Sequence, residues 1–286
     1  MELRDTIRAR AGDAKMNMRQ NALHRLRQLF SVIPTFVPGK TRVAKTAVDL
    51  LGNGPAIVTG AHGLLYDVPS LAEPIAIGII VDGAYEPETI NAIIEHMPSE
   101  GVFVDVGANI GAISLPIARR CPLAKILSVE ACPRIFNILT RNLQMNSIKN
   151  VFPVHAFAGE LDDGFTDFYP APDRKFGMGS AGQQFGAKPI RVATRTLDSL
   201  MSEIRWSAAN VIKLDVEGAE IQALKGAQHV IWDAPRRPVI LFESVPWAET
   251  RISGQSAGDS INYLRAGGYR VRPLPRSPGM YIAIPE

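Results

Sequence analysis

Between residues 101 and 243 the chain repeats one pattern: a short, near-continuous apolar run followed by a stretch with helical spacing. Val102-Phe103-Val104-Asp105-Val106, Ile126-Leu127-Ser128-Val129-Glu130, Val151 to Phe157, Val211 to Val216 and Pro238 to Glu243 are the runs. A strand built from such a run has no polar face, so both its faces must be covered, and helices between successive strands supply the cover. The pattern therefore predicts a doubly wound, mostly parallel α/β sheet. Helices are expected over Ala112–Arg120, from Pro133 to about Met145, over Glu220–Val230 and up to Ala266, with Tyr269–Arg272 and Met280–Ile284 closing as a hairpin.

The ends of the chain have a different texture. Residues 1 to about 33 read as helix, with Leu23, Leu26, Phe30 and Ile33 at spacings of three and four and arginines between them. Pro34 and Pro38-Gly39 end it. A basic amphipathic stripe of this kind can lie on a membrane surface; the preferred reading is that it packs on its own domain or on a partner subunit, as in a homodimer. Residues 54–84, rich in Gly and Pro with short apolar runs such as Ala56-Ile57-Val58 and Ile77–Val81, predict a small antiparallel lead-in. Glu86 to Met97 reads as a helix with Pro87 in its first turn. The expected division is an N-terminal helical and small β extension, residues 1–84, before a main domain, residues 85–286. Residues 158–196, punctuated by glycines, interrupt the main domain as a hairpin and loop.

Composition removes several classes. At 286 residues, 46% hydrophobic and 21% charged, the chain is neither disordered nor fibrous. No apolar run approaches the ~18–20 residues that span a bilayer. The first residues lack the apolar core of an export signal, and a cytoplasmic location is expected. Cys121 and Cys132 have no metal-type spacing and read as reduced packing residues. Residues 1–50 hold 10 Lys/Arg against 4 Asp/Glu and the remainder 21 against 24, a basic head read as a solvated helix face.

The chemistry concentrates in Asp105-Val106-Gly107-Ala108-Asn109-Ile110-Gly111, which follows a strand and opens a helix. Gly107 and Gly111 let a ligand approach the backbone, and a helix N-terminus offers N–H groups. The spacing is G-x-N-x-G, not the G-x-G-x-x-G of dinucleotide folds, which makes the alternative of a nicotinamide oxidoreductase the weaker one. A carboxylate at Asp105 would repel a pyrophosphate but suits the ammonium and sulfonium of S-adenosylmethionine. Glu130, 25 residues on, ends the second strand where a carboxylate accepts bonds from ribose hydroxyls. Ala131 and Cys132 leave room for an adenine. His155 and Ala156 end the third strand, on the adenine side; His155 itself reads more as a structural residue than as a base.

These pieces resemble the FkbM-type methyltransferases, a group within the class I enzymes that use S-adenosylmethionine. The resemblance rests on Tyr85-Glu86-Pro87-Glu88, Phe103 to Gly111, Thr196-Leu197-Asp198, Ile212-Lys213-Leu214-Asp215-Val216-Glu217-Gly218-Ala219-Glu220 and Leu224-Lys225-Gly226-Ala227, in family order over residues 85–243. It implies a Rossmann-like sheet of seven strands and O-methylation of hydroxyls on sugars, polyketides or related metabolites. One departure stands out: the second strand ends Val129-Glu130-Ala131-Cys132-Pro133, where the family has phenylalanine-glutamate-proline.

An alcohol nucleophile must lose its proton, so a carboxylate within reach is useful. Asp215 ends the fourth strand, Glu217 follows in the turn, and Glu243 ends the fifth; Asp215 or Glu217 is expected to orient or deprotonate the acceptor, with Glu243 nearby. The alternative is that Asp215 and Glu217 brace the turn or cap the helix at Glu220. The three could also hold a divalent cation, although nothing in their spacing demands a metal. No amino-methylating Asn/Asp-Pro-Pro-Tyr/Phe motif follows the fourth strand. A small-molecule or glycan acceptor is expected rather than nucleic acid, since Arg191, Arg195, Arg236 and Arg237 are not interleaved with aromatic residues. A nucleic-acid methyltransferase and a non-catalytic S-adenosylmethionine-binding regulator are the competing functions.

Overall fold

The computed structural model describes residues 18–33, 37, 39–162 and 164–286. The expected helix at residues 1–17, and its stop at Pro34 and Pro38, lie outside them. A helix over residues 18–31 (α1) is followed by α2 (Lys40–Leu51), the hairpin β1 (Ala56–Thr59) and β2 (Leu65–Val68), and the helices α3 (Pro74–Asp82) and α4 (Pro87–His96). The main sheet then begins with β3 (Val102–Val106), α5 (Ser114–Arg120), β4 (Lys125–Glu130), α6 (Pro133–Met145) and β5 (Val151–His155). A three-stranded side sheet takes β6 (Phe157–Ala158), β7 (Gly164–Phe168) and β8 (Ile190–Arg195). The chain returns through α7 (Leu197–Glu203), β9 (Val211–Leu214), α8 (Glu220–Lys225), α9 (Gln228–Ile231), β10 (Val239–Glu243), α10 (Pro246–Glu249), α11 (Asp259–Ala266), β11 (Tyr269–Pro273) and β12 (Met280–Pro285).

The main sheet has seven strands in the order β11-β12-β10-β9-β3-β4-β5. β3, β4, β5, β9 and β10 run parallel, whereas β12 and β11 close one side antiparallel. The doubly wound, seven-stranded sheet expected from the apolar runs is the one observed. From β3 the chain first winds outward through β4 to β5, then crosses to lay β9 and β10 on the other side. The order therefore reverses between β3 and β9, and the carboxyl ends of these strands border the crevice where open α/β sheets bind ligands. β5 and β11 are the outermost strands, and Pro153 sits in the middle of β5, as a residue without an N–H does only at a sheet edge or bulge.

Local choices account for the elements. Pro133 at the first turn opens α6, whose Ile135, Ile138, Leu139 and Leu143 are buried; each contributes about 1.5–3 kcal/mol. The same helix buries Asn142 and Asn146 one turn apart, and their amides bind the backbone of β2 at Leu65 and Asp67. Arg141 adds an ion pair to Asp67. Thr196 caps α7 by accepting the Ser199 N–H at 3.1 Å. Leu23 and Phe30 of α1 are each 2% exposed and pack in the same cluster as Phe103 and Ile126, so the N-terminal stripe packs on the chain's own core.

Three expectations need correction. Ile77–Val81 is not a strand: Pro74–Asp82 is a helix whose Ile75, Ile77, Ile79, Ile80 and Val81 are all buried. A helix covered on every side has no amphipathic period, and nine residues make it as short as a strand. The third strand ends at His155, because Phe157 and Ala158 leave for the side sheet and pair with Thr194 and Arg195. The helix expected over Glu220–Val230 is broken into α8 and α9 at Gly226, where a Cβ would sit 2.0 Å from the Gly159 carbonyl oxygen. Among the described residues no helix is long and apolar enough to cross a membrane.

Candidate active site

The turn from Gly107 to Gly111 leaves β3 at the reversal point. Gly107 (φ 76°) and Gly111 (φ 86°) adopt the left-handed conformation, as does Asn109 (φ 52°). A Cβ on Gly107 would lie 1.8 Å from the Asp215 carbonyl oxygen, so the turn presses directly on the end of β9. Its N–H groups are consumed locally, contrary to the expectation that they would face a ligand. Gly107 and Ala108 both donate to the Val129 carbonyl, Asn109 donates to Glu130 Oε2 at 2.9 Å, Ile110 to Asn109 Oδ1, and Gly111 to the Ala108 carbonyl. Glu130 Oε1 accepts the Cys132 N–H at 2.8 Å. Glu130 is thus a clamp that ties the turn to the chain leaving β4. Burial pushes its carboxyl up to about 7, against the pull of those two N–H donors. Each of its oxygens still has a lone pair for a ligand hydroxyl.

Two hollows open on either side of Gly107. One, open to solvent, is lined by Val129, Glu130, Ala131, Ala156, Phe157 and Phe168 among others. It is mostly apolar and floored by small side chains. His155 does not line it; the ring is exposed, donates from Nε2 to the Ala131 carbonyl at 3.0 Å and packs on Phe136. The other hollow is bordered by Tyr85, Ala108, Asn109, Gly177, Lys213, Asp215, Glu217 and Glu243. Of the residues singled out in the sequence, Gly107, Ala108, Asn109, Glu130, Ala131, Ala156, Asp215, Glu217 and Glu243 face one hollow or the other. Gly111 instead gives α6 and α5 their close approach, since a Cβ there would meet Leu115 and Leu139.

Asp105 is fully buried beneath the second hollow. Its Oδ2 accepts the Ser114 hydroxyl, and its Oδ1 faces Lys213 Nζ at 3.5 Å. Lys213 lies beside Asp105 in the β3–β9 register and also reaches Asp215 Oδ2 at 3.2 Å. Burial disfavours its charge, but Asp215, Asp105 and Glu86 together hold the ammonium above the usual lysine range.

Asp215, Glu217 and Glu243 each place a carboxylate oxygen within 4.8 Å of the others, an arrangement that could hold a divalent cation. Burial and mutual repulsion push Glu217 up to about 8 and Glu243 up to about 10. Glu86, the left-handed residue at the start of α4 (φ 46°), is raised by burial and by Asp215. Tyr85, against Glu86, is raised by burial as well. The bracing role open to Asp215 and Glu217 belongs to Glu220: its Oε1 accepts the N–H groups of Val216 and Gly218. Glu217, at φ 54°, is left to project into the hollow, with its carbonyl held by the Ser180 hydroxyl.

Tyr85 and Glu86 entered the sequence reading only as parts of a motif, and Glu73 not at all. Nothing in the spacing of residues 73–86 connects them to strand ends 130 residues away. Arg195 and Arg237, considered for nucleic acid, are engaged within the chain: Arg195 with Asp162 and Glu203, Arg237 with Trp232 and the Gly267 carbonyl.

Residues 105–271 match the model of the methyltransferase FkbM domain. Methyltransferase sdnD of Sordaria araneosa is 30% identical over 176 residues, covering 51% of this chain and 68% of that protein. Hexuronic acid methyltransferase AglP of Haloferax volcanii is 27% identical over 146 residues, covering 51% of this chain and 58% of that one. Among solved structures, TYW2 of M. jannaschii in complex with AdoMet superposes with a TM-score of 0.41 at 16% identity, covering 81% of this chain and 84% of that one.

Proposed function

Since the chain belongs to the FkbM methyltransferase domain family, we propose that it transfers the methyl group of S-adenosylmethionine to a hydroxyl of a carbohydrate or secondary metabolite. The residues present fit that cofactor. The apolar hollow over Ala131, Ala156 and Phe157 suits an adenine, the spare lone pairs of Glu130 suit a ribose, and the acid-lined hollow suits a cationic sulfonium. When bound, S-adenosylmethionine supplies a methyl group on positively charged sulfur, which needs no further activation.

The work left to the protein is positioning and proton removal. One observation carries the reading: three carboxylates from the ends of β9 and β10 converge beside the glycine turn. Asp215, fixed by Lys213 at 3.2 Å, supports a role in orienting the acceptor hydroxyl. Glu217, raised to about 8, is matched to taking the hydroxyl proton near neutral pH. Glu243 shares the negative field and titrates jointly with its neighbours. The name of AglP makes hexuronic acids the first acceptors to try.

The test is twofold. Titration calorimetry reports binding of S-adenosylmethionine to wild type and to Glu130→Ala, where weaker binding is expected. A tritiated-methyl screen of hydroxylated acceptors then compares wild type with Glu217→Gln. Removal of a general base lowers turnover by about 10²–10⁴-fold. Unchanged turnover in Glu217→Gln would remove it from the chemistry, and no cofactor binding by folded protein would end the methyltransferase reading for this chain.

A further inference from the structure

Glu73 precedes α3, yet its side chain makes no hydrogen bond to the helix it introduces. It is 3% exposed. One part of its carboxylate accepts the Gly177 N–H, while Oε2 is buried with no donor among the described residues. A buried acceptor left empty is costly, and native proteins rarely keep one without a use. Gly177 belongs to the acid-lined hollow beside the glycine turn. A Cβ on Gly177 would lie 2.9 Å from Glu73 Oε1 and 3.8 Å from Asn109 Nδ2, so this glycine leaves open the space between the two side chains. Asn109 is complementary to Glu73. Its Oδ1 accepts the Ile110 N–H, and its Nδ2 makes no hydrogen bond among the described residues. A buried carboxyl, pushed up to about 7 by its burial, and an amide donor thus flank one small opening.

An α-amino acid presents that pairing in reverse, an ammonium and a carboxylate on one carbon. We propose that Glu73 and Asn109 form the subsite for the amino-acid end of the methyl donor, Glu73 receiving its ammonium and Asn109 Nδ2 its carboxylate. The proposal rests on the reading that the chain binds S-adenosylmethionine. Glu73 lies outside the family-matched segment 105–271, so the N-terminal extension completes the donor site instead of merely covering it. Gly177 keeps the subsite open, and the 3₁₀ segment around it, Asp173–Met178, walls it.

Two probes separate this role from a structural one. S-adenosylhomocysteine carries the amino-acid end; 5′-methylthioadenosine has the same nucleoside and thioether without it. Both are titrated calorimetrically against wild type, Glu73→Gln and Asn109→Asp, with thermal unfolding run alongside. Wild type is expected to prefer S-adenosylhomocysteine. Glu73→Gln, which turns an N–H toward the ammonium, lowers affinity for it by about 10–100-fold, the range for a hydrogen bond to a charged group, and leaves 5′-methylthioadenosine within about twofold. Asn109→Asp, which sets a carboxylate against the ligand's own, gives the same selective loss through a residue of the glycine turn, outside α3. Equal binding of the two probes by wild type, an unchanged affinity in both variants, or a parallel loss for both probes overturns the assignment while leaving the donor reading intact. Failure of wild type to bind either probe overturns both.

Discussion

Replacing Lys213 with methionine isolates the electrostatics of the cleft floor. The side chain is 2% exposed, and its ammonium is the cation that faces Asp105 at 3.5 Å and Asp215 at 3.2 Å. At an effective dielectric of ~20, unit charges at these separations attract by about 5 kcal/mol per pair before desolvation is subtracted. Methionine keeps the bulk but leaves Asp105 at 0% exposure with only the Ser114 hydroxyl for company. Its Oδ1, which faces the ammonium at 3.5 Å, accepts no hydrogen bond among the described residues. Breaking a buried pair from one side costs about 3–5 kcal/mol, because a charge is left without a partner. Urea unfolding at pH 8 measures this as a fall in midpoint at constant slope. The double variant Lys213→Met with Asp105→Asn removes the orphaned charge and should recover most of the loss. The deficit of the single variant should also shrink at pH 5, since an unpaired buried carboxylate holds its proton more tightly when folded than when unfolded. A single-variant loss below about 1 kcal/mol, or a double variant no more stable than the single, would refute the role given to Lys213.

Glu217, raised to about 8, must be ionised to accept a proton, so kcat/KM for the acceptor should rise with pH through an inflection near 8; a flat profile would point to another base. Glu130 and Glu220, each raised to about 7, hold their protons more tightly folded than unfolded. Stability of the ligand-free protein should therefore fall as pH climbs from about 4.5 to 7, by up to about 3–4 kcal/mol per group, which calorimetric unfolding at pH 5 and pH 8 would register. Turnover should survive EDTA, because Lys213 already neutralises part of the acidic cluster; a loss reversed by Mg²⁺ would assign Asp215, Glu217 and Glu243 to a cation instead. Gly226→Ala should destabilise the protein by about 1–3 kcal/mol, the range for overpacking, since its Cβ would meet the Gly159 carbonyl at 2.0 Å; a stability equal to wild type would mean that the α8–α9 break is imposed elsewhere.

The sheet was legible because its strands are apolar on both faces and its helices on one, and the two periods differ. Val102–Val106 and Pro133–Met145 could be assigned from their own residues. The segment Pro74–Asp82 could not, because burial on all sides erased the helical period. The break at Gly226 depends on the backbone of Gly159, 67 residues earlier, so no local signal announces it. The site divides the same way. Gly107, Glu130, Asp215, Glu217 and Glu243 stand at strand ends, and a parallel sheet gathers such ends along one edge. Asp105 was recognised as important, but its direction was not: that depended on Lys213 across the β3–β9 register. Glu73 carried no signal, because only the packing of the extension brings it to Gly177.

The outermost strands of the main sheet bear on how copies of this chain meet. An unpaired strand edge is a template onto which another chain can zip, the route to fibrils and swapped assemblies. Here β5 carries Pro153 at its centre, where a hydrogen-bond donor is missing. β11 alternates Arg270 and Arg272 with its buried residues and ends at Pro273, so an incoming strand would meet positive charge and then a second proline. Neither border accepts a stranger readily. Pairing of two copies through either border of the main sheet is therefore disfavoured.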